Sequence, residues 1–261
     1  MKQSISIIIP TKNRIHYLER LLTFINENEY FSIIILDSSV NQKAKDSNKS
    51  IFKKKNINII DFPENISVNE KISKVCKFLN TKYAVICADD DFLIPSSIIT
   101  AAKFLDNNLD YASAHGNYYT HPNYEQINSG KKFYLNKIYH GENIVSSNSF
   151  ERLKQYLQHK TTYYPYYAIH RTEDFIRIWE DHYKYLIFDR EYSEIIPSSL
   201  SLLMGNQKIL PIFWMSKEAN NTDVIGDLNS VNKIYSEKTF NLYFDSLINF
   251  SKKIKPENRI S

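Results

Sequence analysis

Asp89, Asp90 and Asp91 stand in a row within the stretch YAVICADDDFLIP, residues 83 to 95, at the mouth of an apolar run and just ahead of Pro95. Adjacent ionised carboxylates repel one another and resist sharing a site unless a cation is near. Acids at i and i+2 beyond a strand end can both turn toward one hard dication, which takes oxygen ligands and also coordinates phosphate oxygens. Asp89 and Asp91 have that spacing. The rival reading makes the three acids turn and cap residues before a helix starting at Pro95. Their density favours the cation.

Two smaller clusters also follow apolar runs. PTKNR holds Pro10, Thr11, Asn13 and Arg14, and IIILDSS ends on Asp37. Open parallel sheets bind ligands beyond the carboxyl ends of their strands, so all three clusters are expected at one edge. The chain has only 5 glycines. With no GxGxxG or GxxxxGK[ST] after any of these runs, a dinucleotide-binding turn and a P-loop are both disfavoured. Arg14 also reads as a cap or ion-pair residue near the first helix, and Asp37 as a turn acid.

The elements that must position these residues follow from periodicity. SISIII, SIIIL, INIIDF and YAVICA read as strands, apolar almost throughout. Between them Ile15, Leu18, Leu21, Leu22 and Ile25 recur at helical spacing, as do Val68, Ile72, Val75, Cys76 and Leu79. Ser67 with Glu70 forms a capping-box pattern at the start of the second helix. Pro95 opens a third, with Ile98, Ile99, Ala102 and Leu105 on its apolar side. Apolar strands alternating with helices imply an α/β fold with a mostly parallel central sheet flanked by helices.

Composition bounds the rest. A chain of 261 residues with 43% apolar and 14% aromatic residues buries a full core and is not disordered. Its formal charge of +4 is small, and the basic run KAKDSNKSIFKKKN reads as a solvated surface, so nucleic acid is not an implied partner. Cys76 and Cys87 lack CxxC spacing and read as buried thiols of a cytoplasmic protein. ISIII is too short for a signal-peptide core, and no apolar run approaches the roughly 18 residues of a membrane span.

Taken in order, SISIIIPTKNR, IIILDSS and YAVICADDDFLIPSSI resemble the successive motifs of family 2 glycosyltransferases with the GT-A fold. The resemblance covers residues 4 to 106 well. It extends loosely through YYAIHR and the FDREYSEII and LLMGNQKILP segments. It implies a nucleotide-diphospho-sugar transferase fold in which Pro10, Thr11, Asn13 and Arg14 border the nucleotide. Asp37 would read the base or ribose, although Leu36 stands where the family commonly has a second acid. Asp89, Asp90 and Asp91 match the DxD motif, with Asp91 the first metal ligand, Asp89 at the ribose, sugar or metal, and Mn2+ or Mg2+ the cofactor.

The second half is less regular. Residues 116 to 146 read as an irregular insertion, YYPYYAIHR as an aromatic strand, 173 to 183 as a short helix, and Arg190 to Met204 as a longer helix ended by Gly205. QKILPIFWM reads as one or two short strands. The expected division is a GT-A domain over 1 to 215, with a nucleotide and metal half at 1 to 106 and an acceptor half at 107 to 215. A C-terminal helical extension over 216 to 261 carries Ile234, Leu242, Leu247 and Ile248 and is expected to pack on the domain. His170, in an apolar strand, is expected to be structural, and Tyr163, Tyr164, Tyr166 and Tyr167 to be packing residues.

In the family the base is an acid at a helix start in the second half. FDREYSEII offers Asp189, Glu191 and Glu194 there, with Glu191 taken first and Asp189 second as catalytic residues. The implied function is metal-dependent, inverting transfer from a nucleotide sugar, UDP-sugar first. The acceptor is a glycan or lipid-linked glycan of a bacterial capsule, lipopolysaccharide or other surface polysaccharide. Cytoplasmic placement follows, with peripheral contact at the inner membrane face left open. Two alternatives stay open: a sugar-phosphate nucleotidyltransferase, against which the glycine-free PTKNR speaks, and a catalytically silent GT-A module binding glycan or a partner enzyme. The end KKIKPENRIS resembles a linker, so a larger synthase also stays open.

Overall fold

The four apolar runs of the first half form adjacent parallel strands in the computed structural model, which describes residues 4–25, 29–41, 43, 46, 50–123, 136–137, 142–158, 164–180, 192–219 and 237–253. They are β1 (Ile5–Thr11), β2 (Phe31–Asp37), β3 (Ile57–Asp61) and β4 (Tyr83–Ile86). Ile7, Ile8 and Ile9 are fully buried, as both-sided coverage by helices requires. Each such side chain contributes about 1.5–3 kcal/mol on burial.

Helices α1 (Ile15–Ile25), α2 (Val68–Val75) and α3 (Pro95–Asn107) supply that coverage. Leu18, Leu21, Leu22 and Ile25 of α1 are all buried. Ser67 caps α2 as its sequence predicts, its side chain accepting from Glu70 N at 3.1 Å. The Glu70 carboxylate turns to Lys74, 3.2 Å away.

Among the described residues a nine-stranded sheet runs β3-β2-β1-β4-β8-β6-β9-β5, with β7 beside β6. The remaining strands are β5 (Phe92–Leu93), β6 (Tyr111–Pro122), β7 (Asn136–Lys137), β8 (Ile169–Arg171) and β9 (Asn206–Ala219). The parallel pairings are the long ones, and β8 enters antiparallel between β4 and β6. Among the described residues four helices complete the order: α4 (Ser149–Gln158), α5 (Thr172–Trp179) and α6 (Tyr192–Met204), with α7 (Glu237–Lys253) at the end.

The second half departs from its sequence reading in three places. β6 continues to Pro122, well into the expected insertion, because β9 pairs along its whole length. Tyr164–Tyr167 is a 3-10 turn rather than strand, since Pro165 has no N–H to give a ladder, and only Ile169–Arg171 is β. QKILPIFWM is part of one long strand. Pro211 is tolerated there because the register with β6 shifts between His115/Ile209 and Asn117/Phe213, leaving it in a bulge. That strand runs on to Ala219.

At that bulge a Cβ on Gly116 would lie 2.4 Å from the Ile212 carbonyl oxygen, so β6 and β9 approach too closely for any side chain. Gly116→Ala is expected to lower unfolding free energy by about 1–3 kcal/mol, the usual cost of overpacking. A urea midpoint equal to the parent's would show that the bulge yields.

The C-terminal helix packs on the domain as expected. Tyr243, Leu247 and Phe250 are buried, and Tyr243 Oη bonds Ser199 Oγ at 2.8 Å. Ile234 lies outside the described residues. Cys76 and Cys87 are buried and free, and His170 is a core residue bonded to Ser201 Oγ at 3.0 Å.

Candidate active site

The chain leaves β1 toward β2 on one side and returns to β4 on the other, so the strand order reverses at β1. Such a switch opens a crevice beyond the carboxyl ends of the strands. Pro10 and Thr11 finish β1 there, in register with Leu36 and Asp37 of β2. The turn after β4 brings in the aspartates, with Asp91 N donating to Ala88 O at 3.3 Å.

Across the crevice Thr11 Oγ1 donates to Asp89 Oδ2 at 2.7 Å. Arg14 stands at the mouth of α1, its carbonyl accepting from Tyr17 N and Leu18 N, and its guanidinium lies over the Tyr17 ring at 4.3 Å. One nitrogen is 3.0 Å from Asp89 Oδ1 and another 2.6 Å from Asp90 Oδ2. Arg14 therefore stands at the helix start and pairs with two of the three aspartates. Burial pushes the Asp89 carboxyl up to about 6 against the pull of Arg14 and Thr11.

The neighbouring corner is built around Asp37 and Asn13. Asp37 is fully buried, and its Oδ1 accepts from Ser39 N at 2.7 Å. Asn13 adopts φ 54°, a left-handed conformation that asparagine tolerates better than most residues. There it donates through its N–H to Ser39 Oγ at 2.7 Å, and its Oδ1 accepts from Val40 N at 2.9 Å. The loops after β1 and β2 are thus locked together.

Below them lies Lys71, only 2% exposed and not singled out by the sequence reading. Its ammonium donates to Thr11 O, Leu36 O and Ser38 Oγ at 3.0, 3.2 and 3.1 Å. Those three acceptors match its three N–H donors. Burial brings it down to about 8, while Asp37 and Asp89 hold it up. The available signal was a lysine on the apolar face of α2, between Val68 and Val75.

Asp91 faces the other way, toward β9. It is 3% exposed, and its Oδ1 accepts from Glu218 N at 3.1 Å. Lys217 Nζ lies 3.6 Å from Oδ2 and 4.0 Å from the Tyr167 ring centroid. Burial raises the Asp91 carboxyl to about 7, opposed by Lys217. Glu218 pairs with Arg20 at 2.6 Å, and Arg20 also donates to Asp90 O at 3.0 Å, which fastens α1, the aspartate turn and β9 together. No sequence signal pointed to Arg20, Lys217 or Glu218, because β9 reaches the turn only through the sheet.

In the second half of the chain Tyr167 Oη donates to Glu194 Oε1 in the first turn of α6, at 3.2 Å. Tyr166 and Tyr167 are buried packing residues. Asp189, Glu191 and Tyr163 lie outside the described residues.

Among the described residues no group of three His, Cys, Asp or Glu is placed to hold a metal ion. The donor chemistry nevertheless fits one. Asp91 Oδ2 is buried with no hydrogen bond, and carboxylate oxygens are the ligands that Mg2+ and Mn2+ prefer.

Comparison with known proteins agrees with this fold. Residues 6–179 match Glycosyl transferase family 2, while no curated protein sequence matches. The S. aureus TarS structure is 13% identical with a TM-score of 0.52, over 95% of this chain and 43% of that one. TarS 1-349 in complex with UDP-GlcNAc is 13% identical, TM-score 0.54, over 98% and 78%. The mannosyltransferase PcManGT from Pyrobaculum calidifontis, in complex with GDP-Man and Mn2+, is 10% identical, TM-score 0.57, over 95% and 65%. The chain thus spans less than half of the longer TarS structure. The fold is that of the GT-A glycosyltransferases. The chain belongs to glycosyl transferase family 2.

Proposed function

We propose that the chain transfers a sugar, with inversion and with Mn2+ or Mg2+, from a nucleotide diphosphate donor to a glycan or lipid-linked glycan of a bacterial surface polysaccharide. The carrying observation is the convergence of Thr11, Arg14, Asp89, Asp90 and Asp91 at the switch point, beside a corner locked by Asp37 and Asn13. UDP-sugar is the first donor to test, with GDP-sugar second, since similar folds hold each. No helix among the described residues is long and apolar enough to cross a membrane. Work in the cytoplasm at the inner membrane face belongs to the same proposal.

In this mechanism Asp37 and Asn13 hold the corner that receives the base and ribose. Asp91, whose Oδ2 is buried without a hydrogen bond, would hold the metal, which when bound supplies positive charge to the leaving diphosphate. Arg14 adds a fixed guanidinium, and Thr11 keeps Asp89 oriented. Glu191, or Asp189, removes the proton from the acceptor hydroxyl.

Thermal unfolding with UDP or GDP, in Mn2+ or in EDTA, tests the reading. Stabilisation is expected with Mn2+ and little without it. Equal stabilisation in EDTA would remove the metal, and no response to any nucleotide would remove the donor.

A further inference from the structure

We propose that Lys217 is the resident counter-ion of Asp91 and passes to the donor diphosphate when a divalent cation takes that carboxylate. The inference rests on the reading of Asp91 as a metal ligand. It starts from an asymmetry among the three aspartates. Asp89 and Asp90 are gripped by one guanidinium at 3.0 and 2.6 Å. Asp91 Oδ2 has an ammonium at 3.6 Å but no hydrogen bond. A close, geometrically fixed pair is slow to give way; a longer one without a hydrogen bond is ready to exchange.

The position of Lys217 supports exchange. It belongs to the end of β9, in register with Thr120 of β6, so its backbone is fixed while its ammonium is carried on a flexible stem. Its side chain is 25% exposed against 4% for Asp91, which puts the charge at the open side of a buried acid. The Tyr167 ring at 4.0 Å gives the ammonium a second favourable surface. A lysine has three donors on a flexible stem, which suits movement between a carboxylate and a phosphate. Glu218 N stays on Asp91 Oδ1, so the acid keeps its orientation when Lys217 leaves Oδ2. The Lys217 ammonium would be repelled by a dication held at Asp91, and a donor diphosphate would offer it negative charge in the proposed complex. Positive charge meeting the leaving diphosphate favours its departure.

The test measures two affinities by titration calorimetry: Mn2+ for the nucleotide-free protein, and UDP at saturating Mn2+. Lys217→Met is expected to bind Mn2+ more tightly, because the competing cation is gone. It should bind UDP about 10–100-fold more weakly, the range for losing a hydrogen bond to a charged group. Lys217→Arg should restore much of the UDP affinity. Lys217→Gln repeats the measurement if the methionine variant does not fold. Unchanged affinities in the methionine and glutamine variants, with Mn2+ binding abolished in Asp91→Asn, would overturn the Lys217 role alone. Tighter Mn2+ with unchanged UDP would overturn the transfer to diphosphate. Undiminished Mn2+ binding in Asp91→Asn would overturn the metal reading and this proposal with it.

Discussion

Glu191→Gln is expected to keep nucleotide and metal binding while glycosyl transfer falls by about 10²–10⁴-fold, the usual loss when a general base is removed. Glu191 immediately precedes α6 in the sequence, and Glu194, in the first turn of that helix, accepts from Tyr167 Oη. Tyr167 carries Lys217 on its ring, and Lys217 borders Asp91. The start of α6 is thereby tied to the aspartate turn, where the proposed function has the acceptor hydroxyl meet the donor sugar. Glu194 is already engaged in that tie, so Glu191 is the first choice for the base and Asp189 the second. Single-turnover transfer assays on Glu191→Gln and Asp189→Asn separate the two. Normal turnover in the first with collapse in the second would reverse the assignment, and full activity in both would place the base elsewhere.

Asp91→Asn should give a protein that is more stable at pH 8 and has lost the metal-dependent part of nucleotide stabilisation. Burial raises the folded-state carboxyl to about 7, against roughly 3.9 in an unfolded chain. The unfolded chain therefore loses this proton first as pH rises. The native state is penalised from about pH 4, and the penalty levels off above about pH 7. An uncharged amide escapes it, so the variant's advantage in urea midpoint should be greatest at pH 8 and shrink as pH falls toward 4. Wild type with UDP and Mn2+ at a hundredfold excess over Kd gains about 2.7 kcal/mol, and the variant should gain far less. A variant less stable than wild type at pH 8 would mean that Lys217 and Glu218 N compensate the charge fully. Such a trade of stability for a buried charge is common at functional sites.

Local periodicity alone determined the first half of this protein. The apolar runs became β1 to β4, Ser67 capped its helix, and PTKNR, Asp37 and the three aspartates arrived at one sheet edge. Parallel strands joined by helices must all end on the same side, so the edge was readable without knowing the strand order. The tertiary structure decided what answers the charge of Asp89, Asp90 and Asp91. The sequence reading asked for a metal; the fold brings Arg14 from one loop and Lys217 from a distant strand. It also made β9 continuous through Pro211, because pairing with β6 and a bulge beside Gly116 absorb the missing donor. Lys71 was in plain view on an apolar helix face, yet its three acceptors come from the ends of two strands. Propensity and periodicity act over a few residues, whereas these partners are set by sheet pairing between segments far apart in the chain, and no local pattern records that.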